Sequence, residues 1–144
     1  MKAQEYLEEY EKQQEIIVGC WETLSKWKDI AYNITGCTEG ERVQSSGSKQ
    51  KMQDAVISYC DIEKDIKQEI AEAREVQKGI IKTIKRLKKD EYYVLHRIYI
   101  LGNMTFKEVA ASKNKSTSWA TSKHGTALMN LQKILDAKDK SVKD

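Results

Sequence analysis

The chain has 144 residues, a net charge of +3 and no proline, with 40% hydrophobic and 33% charged residues. This length suits one domain, alone or with a helical extension, and the apolar fraction is too high for a disordered chain. The lack of proline, which interrupts helices, favours a mostly helical fold, and no apolar run reaches the ~20 residues of a membrane span.

The first predicted element is a helix over residues 4–34. Its apolar side chains recur in steps of three and four residues, which places them on one face of a helix. They are Tyr6, Tyr10, Ile17, Cys20, Leu24, Trp27, Ala31 and Ile34. Residues 35–50 are rich in glycine and serine, and they predict a loop in which the chain reverses.

A second long helix is predicted where apolar residues recur every seven positions. They are Met52, Tyr59, Ile66, Ala73, Ile80 and Leu87. A neighbouring stripe widens this coiled-coil-like seam, and it consists of Ala55/Val56, Ile62, Ile70, Val76 and Ile84. The two long segments therefore predict an antiparallel helical hairpin. Two helices cannot enclose so broad a stripe, so either the C-terminal helices or a second copy covers it, and we expect a homodimer.

Shorter helices are predicted after residue 90. One runs from Tyr92 to Leu101 and is ended by Gly102-Asn103, a pair suited to a left-handed cap. The next begins at Thr105, whose spacing from Glu108 matches a capping box.

A polar turn over residues 112–115 follows, and Ser116 is a good cap for a further helix. A short helix, a tight turn and a capped second helix are typical of a helix-turn-helix. The second helix of such a motif can enter the major groove of DNA and contact base edges with its first turns.

Basic residues are concentrated in the same part of the chain. The net charge is −3 over residues 1–50, +2 over 51–90 and +4 over 91–144. The window from Lys82 to Lys123 holds ten basic and three acidic residues. Such an excess indicates a polyanionic partner, and a solvated lysine-rich surface is the alternative.

Candidate DNA contacts follow from these two patterns. The candidates for base contacts are Thr117, Ser118, Trp119, Thr121 and Ser122. The candidates for phosphate contacts are Lys107, Lys113, Lys115, Lys123, Lys88 and Lys89. The sequence leaves open whether Trp119 faces DNA or the hairpin, and whether the lysines before residue 90 form a solvated face.

The sequence predicts no enzyme, and neither a metal nor a cofactor. His96 and His124 lie on separate predicted helices without ligand spacing, so packing explains them better. The cysteines, Cys20, Cys37 and Cys60, include no CxxC pair. Acidic residues soon follow Lys2, which is unlike a secretory signal, so we expect a cytoplasmic protein of a bacterial host with no membrane partner.

The stretch from Leu87 to Leu131 resembles domain 4 of bacterial sigma factors, a helix-turn-helix that binds promoter DNA. The segment YILGNMTFKEVA over residues 99–110 parallels a Leu-x-Gly-hydrophobic-Thr-x-x-Glu-hydrophobic-Ala pattern, and HGTALMNL over 124–131 is the second match.

The chain as a whole resembles the sigma-like phage late transcriptional regulators of the ArpU and RinA type. The matching segments are ERVQSSGSKQKMQDAV over residues 41–56 and HGTAL over 124–128. The resemblance implies an all-α fold, with a helical hairpin over 1–89 and a sigma-domain-4-like helix-turn-helix over 90–144. It also implies a phage or prophage regulator of late genes, with double-stranded DNA and host RNA polymerase as candidate partners.

Two other functions fit a hairpin joined to a helix-turn-helix. One is a phage small terminase subunit, which forms rings of many copies during DNA packaging. The other is a helical adaptor whose C-terminal helices bind protein. The second predicted helix of the motif lacks arginine, the residue that most often pairs with guanine. This lack favours binding as a dimer or together with polymerase.

Overall fold

A computed structural model describes residues 2–36 and 46–143. The described residues form five α-helices: α1 (Ala3–Gly36), α2 (Ser46–Ile84), α3 (Lys89–Leu95), α4 (Phe106–Ser112) and α5 (Thr117–Lys143). Helices α1 and α2 form a hairpin, which confirms the predicted all-α class and the two long helices. In the described part of the chain, no helix is long and apolar enough to cross a membrane.

The predicted loop over residues 35–50 was too long at both ends. Thr35 and Gly36 belong to α1, and residues 46–50 belong to α2. Serine and glycine lower helix propensity by at most about 1 kcal/mol each, so a long helix can extend over them. Residues 37–45 lie outside the described part of the chain, and so do Cys37 and the start of the 41–56 segment.

The fold consists of two compact units. The hairpin unit comprises Glu15–Arg74, and the composite unit combines Met1–Gln14 with Glu75–Asp144. The composite unit therefore includes the beginning of α1, the end of α2 and the three later helices. The predicted functional division into residues 1–89 and 90–144 stays a prediction.

The core of the hairpin unit is formed by residues of the apolar stripes that the sequence predicts for the two long helices. Its buried members are Ile17, Cys20, Leu24, Ile66, Ile70 and Ala73, with Tyr59 and Ile62 packed against them. The predicted stripes were broader than this core, because Trp27 of α1 and Val56 of α2 are exposed. The hairpin is thus held by a narrow seam.

The core of the composite unit joins residues distant in sequence. Its buried members are Ala3, Leu7, Ile80, Ile84, Leu95, Ala127, Leu131 and Leu135. Leu7 is fully buried although it lies outside the predicted stripe of α1. Gln77 is also buried, and its amide donates to the Tyr10 carbonyl at 3.3 Å and to Gln14 Oε1 at 2.9 Å.

The single helix predicted from Tyr92 to Leu101 is divided in the structure. After α3, residues His96–Ile100 form a π-helical turn, in which Leu101 N donates to the His96 carbonyl at 3.0 Å. The chain then leaves this turn at Gly102, whose φ of 68° confirms the predicted left-handed cap.

Helix α5 is tied to three other segments of the composite unit by polar contacts. Ala3 N donates to Gln132 Oε1 at 2.7 Å, and Lys138 Nζ lies 2.8 Å from Thr83 Oγ1. Asn130 Nδ2 donates to Glu91 Oε1 at 2.7 Å. Together with the buried leucines, these bonds fix α5 in the unit.

Candidate nucleic-acid interface

Helix α4 begins with a Thr105 cap, which is one half of the capping box that the sequence predicts. The Thr105 hydroxyl oxygen accepts a hydrogen bond from Glu108 N at 3.3 Å. This bond satisfies one of the backbone N–H groups that the first turn of a helix leaves without a carbonyl partner.

The turn after α4 is closed by two backbone bonds around a left-handed residue. Asn114 has a φ of 56°, and its N–H donates to the Ala111 carbonyl at 3.1 Å. Lys115 N donates to the Ala110 carbonyl at 2.9 Å. This pair of bonds is a Schellman motif, which ends α4 sharply and redirects the chain.

Helix α5 starts directly after this turn. The Ser116 hydroxyl oxygen accepts a hydrogen bond from Trp119 N at 3.2 Å, as the sequence predicts for a cap. Helices α4 and α5 contact each other, with Val109, Ala110 and Ala120 buried. The small alanine side chains allow the close approach of the two helices.

The predicted base-contacting residues lie at the start of α5. Thr117, Ser118, Thr121 and Ser122 are exposed, and Trp119 is half-buried. Ser118 shares a helix face with Thr121 and Ser122, opposite the buried Ala120. The Thr121 hydroxyl donates to the Thr117 carbonyl at 3.1 Å, which leaves its oxygen free to accept. The start of α5 therefore presents a small polar face, and Trp119 next to it is half-buried.

The predicted phosphate-contacting lysines fall into three groups. Lys113 and Lys115 lie in the turn, half-buried and exposed respectively, and Lys107 is exposed on α4. Lys123 is half-buried on α5. Lys88 and Lys89 are exposed at the start of α3. The first two groups belong to the α4–turn–α5 segment itself.

His124 packs between aromatic side chains, as predicted. Its Nε2 lies 2.8 Å from the Tyr99 hydroxyl, and the Phe106 ring meets it edge-on, 5.0 Å between centroids. Burial lowers the pKa of His124 below its ordinary value of 6.5. Burial also raises the pKa of Tyr99, with a smaller contribution from Glu8, so its phenol stays protonated at neutral pH. The pair acts as a structural contact between the π-helical turn and α5.

Sequence reasoning missed a cluster formed by Tyr93, Arg97 and Lys113. Arg97 Cζ lies 5.0 Å from the centroid of the Tyr93 ring, and Lys113 Nζ lies 4.3 Å from it. The four-residue spacing of Tyr93 and Arg97 was a signal for the first contact. The second contact joins α3 to the turn after α4, which no sequence spacing reveals.

Among the described residues, no group of three or more His, Cys, Asp or Glu side chains could hold a metal ion. The exposed hydroxyl and lysine side chains of this surface offer hydrogen bonds and positive charge.

No family model, curated protein or solved structure matches this chain. The function proposed below consequently depends on the residues of the chain itself.

Proposed function

We propose that this protein is a sequence-specific DNA-binding transcription regulator of a phage or prophage. The observation that carries the proposal is the exposed polar face of Thr117, Ser118, Thr121 and Ser122 at the start of α5, directly after a tight left-handed turn. Short hydroxyl side chains at this position can hydrogen-bond to base edges in a major groove about 12 Å wide.

The lysines around this face support DNA as the partner. Lys107, Lys113 and Lys115 lie on α4 and in the turn, where they can neutralise phosphates on either side of the groove. Under this proposal α4 and α5 form a helix-turn-helix like that of sigma factor domain 4. Late genes as targets and host RNA polymerase as a further partner belong to the same proposal.

We also propose that the protein binds DNA as a dimer formed through the hairpin unit. That unit exposes large apolar side chains outside its narrow seam, including Trp21 at 46%, Ile30 at 41% and Ile57 at 59%. Such side chains are favourable at an interface between subunits. A dimer doubles the contacts to DNA, which offsets the lack of arginine at the start of α5.

The decisive experiment is to select bound duplexes from random DNA and then compare variants on the selected and a random sequence. Replacing Ser118 and Thr121 together with alanine removes two hydroxyl groups from the polar face. We expect roughly 10-fold or greater loss of affinity for the selected duplex, with little change on the random one, because base contacts cost ~1–3 kcal/mol each.

The control is Ser141→Ala, which removes an exposed hydroxyl near the far end of α5. It should leave both affinities unchanged. Equal losses on the two duplexes for the Ser118 and Thr121 double variant would contradict specific recognition by this face. No binding to any duplex at low salt would contradict DNA binding altogether and favour a protein-binding adaptor.

Mass measurement in solution separates the regulator from the packaging subunit. A dimer is the expected result. A ring of eight or more copies would favour a small terminase subunit instead.

A further inference from the structure

Two cationic side chains are held against one tyrosine ring in the composite unit. Arg97 Cζ and Lys113 Nζ lie 5.0 Å and 4.3 Å from the centroid of Tyr93. The two charges are therefore separated by no more than about one Debye length, ~10 Å at 0.1 M salt. At that separation their repulsion is only partly screened.

The Tyr93 ring is itself fixed in place. Its hydroxyl lies 2.7 Å from Ser112 Oγ, and the Ser112 hydroxyl donates to the Val109 carbonyl at 2.7 Å. Because the one proton of Ser112 is used in that bond, Tyr93 is the donor to Ser112. The ring is thus anchored to the last turn of α4, and it orients both cations next to the turn that leads into α5.

In the part of the chain that the structure describes, neither Arg97 nor Lys113 forms an ion pair with a carboxylate. The Nε of Arg97 is buried, and no described residue accepts a hydrogen bond from it. Two neighbouring cations without a counter-charge favour binding of an anion, and guanidinium groups suit phosphate oxygens.

We propose that Arg97 and Lys113, oriented by Tyr93, bind backbone phosphate of duplex DNA beside the start of α5. This inference depends on the proposed function and adds Arg97 and Tyr93 to the interface. Arg97 contacts phosphate, and Tyr93 is a positioning residue that lowers the entropic cost of holding both cations in place.

The test compares variants of the full chain by their affinity for a random-sequence duplex across a series of salt concentrations. Arg97→Gln and Lys113→Gln should each weaken binding roughly fivefold. Each should also reduce the salt slope, which is the steepness of the fall of log affinity with log salt concentration, by about 1. Arg97→Lys should retain the slope, because it retains the charge. Tyr93→Phe, which keeps the ring but removes its bond to Ser112, should weaken binding less than Tyr93→Leu, which removes the ring and should lose affinity as Arg97→Gln does.

The matched control is Lys140→Gln, an exposed charge about 35 Å from the start of α5 along a helix that rises ~1.5 Å per residue. It should change the salt slope much less than Arg97→Gln. Circular dichroism shows whether each variant is folded. If Arg97→Gln does not fold, Lys113→Gln tests the same site from a position in the turn.

The outcomes separate the two proposals. Equal salt slopes for Arg97→Gln and Lys140→Gln, with DNA binding retained, would overturn the phosphate site and leave the proposed function standing. An Arg97→Lys variant as weak as Arg97→Gln would mean that the arginine acts through packing, which also overturns the site. A wild-type chain that binds no duplex would overturn both proposals.

Discussion

Asn114 and Gly102 have positive φ angles of 56° and 68°, and each ends a helical segment. An L side chain in this region brings Cβ close to a carbonyl oxygen, which costs roughly 1–2 kcal/mol. Asparagine tolerates the conformation better than most residues, and glycine tolerates it without that cost. The backbone of Asn114 therefore contributes directly to the geometry of the turn before α5.

We expect Asn114→Ala to lower the free energy of unfolding by about 1 kcal/mol, because alanine has a higher cost at positive φ. Asn114→Gly should remain within about 0.5 kcal/mol of wild type. Urea denaturation measures the free energy of unfolding of both variants. Asn103→Ala, at an exposed position without positive φ, is the control and should have little effect. An Asn114→Ala variant as stable as wild type would contradict the left-handed turn.

The pKa of His124, lowered by burial, predicts a pH-dependent stability. The folded chain keeps this imidazole neutral, whereas the unfolded chain takes up a proton near the ordinary pKa of 6.5. Stability should therefore be greatest above pH 6.5, fall as the pH drops through 6.5, and level off below the pKa of the folded state. His96, whose pKa is lowered by burial and then by Arg97 and Lys85, adds to the same trend.

Chemical denaturation at a series of pH values between about 7.5 and 5 measures this trend. His124→Gln keeps a polar partner for Tyr99 and removes the titration, so its stability should change less over that range. A wild-type chain whose stability rises on acidification would contradict a neutral, partly buried imidazole at position 124.

At the scale of elements, the periodic residues predicted both long helices. Ile66, Ala73 and Ile80 are buried as the seven-residue pattern requires. The neighbouring stripe was wrong at Val76, which is exposed, and neither stripe included Gln77, which is buried. Gln77 can occupy an interior position because its amide bonds to Tyr10 and Gln14, and such pairing across helices has no sequence signal.

The sequence predicted the local parts of the candidate site and missed the contacts between residues far apart in the chain. Its caps at Thr105 and Ser116 depend on residues three positions apart, so local sequence revealed them. The cluster at Tyr93 depends on a contact across 20 residues between α3 and the turn after α4. The π-helical turn depends on a shift of backbone bonding by one residue, which side-chain periodicity does not encode.

The bond between α3 and α5 supports a further prediction. Glu91 is 2% exposed, and its carboxyl accepts from Asn130 Nδ2 at 2.7 Å and from Lys88 N at 3.3 Å. Asn130→Ala leaves a buried oxygen without this donor, so the free energy of unfolding should fall by about 1–3 kcal/mol.

Thermal or urea unfolding measures the loss. The control is Met129→Ala, since Met129 is 65% exposed and its truncation should cost less than about 0.5 kcal/mol. Equal effects of the two substitutions would show that the bond contributes nothing to the position of α5.

For the molecule as a whole, the exposed apolar residues of the hairpin unit predict self-association. We expect a dimer at micromolar concentration in sedimentation equilibrium. Ile57→Glu replaces an apolar side chain that is 59% exposed with a charged one, so we expect it to weaken the dimer at least 10-fold. Ser58→Glu adds the same charge at the neighbouring exposed position and should weaken it less. A wild-type chain that sediments as a monomer would remove the dimer proposal.

The composite unit is built from segments far apart in the chain, and this has a consequence for synthesis on the ribosome. Ala3 and Leu7 share a core with Leu131 and Leu135, so these residues of α1 are synthesised well before the residues of α5 that cover them. The hairpin unit, Glu15–Arg74, is translated in the interval and can fold first. The helix that completes the core also carries the polar face of Ser118 and Ser122. A nascent chain therefore acquires its proposed DNA-binding surface in the same step that buries Ala3 and Leu7.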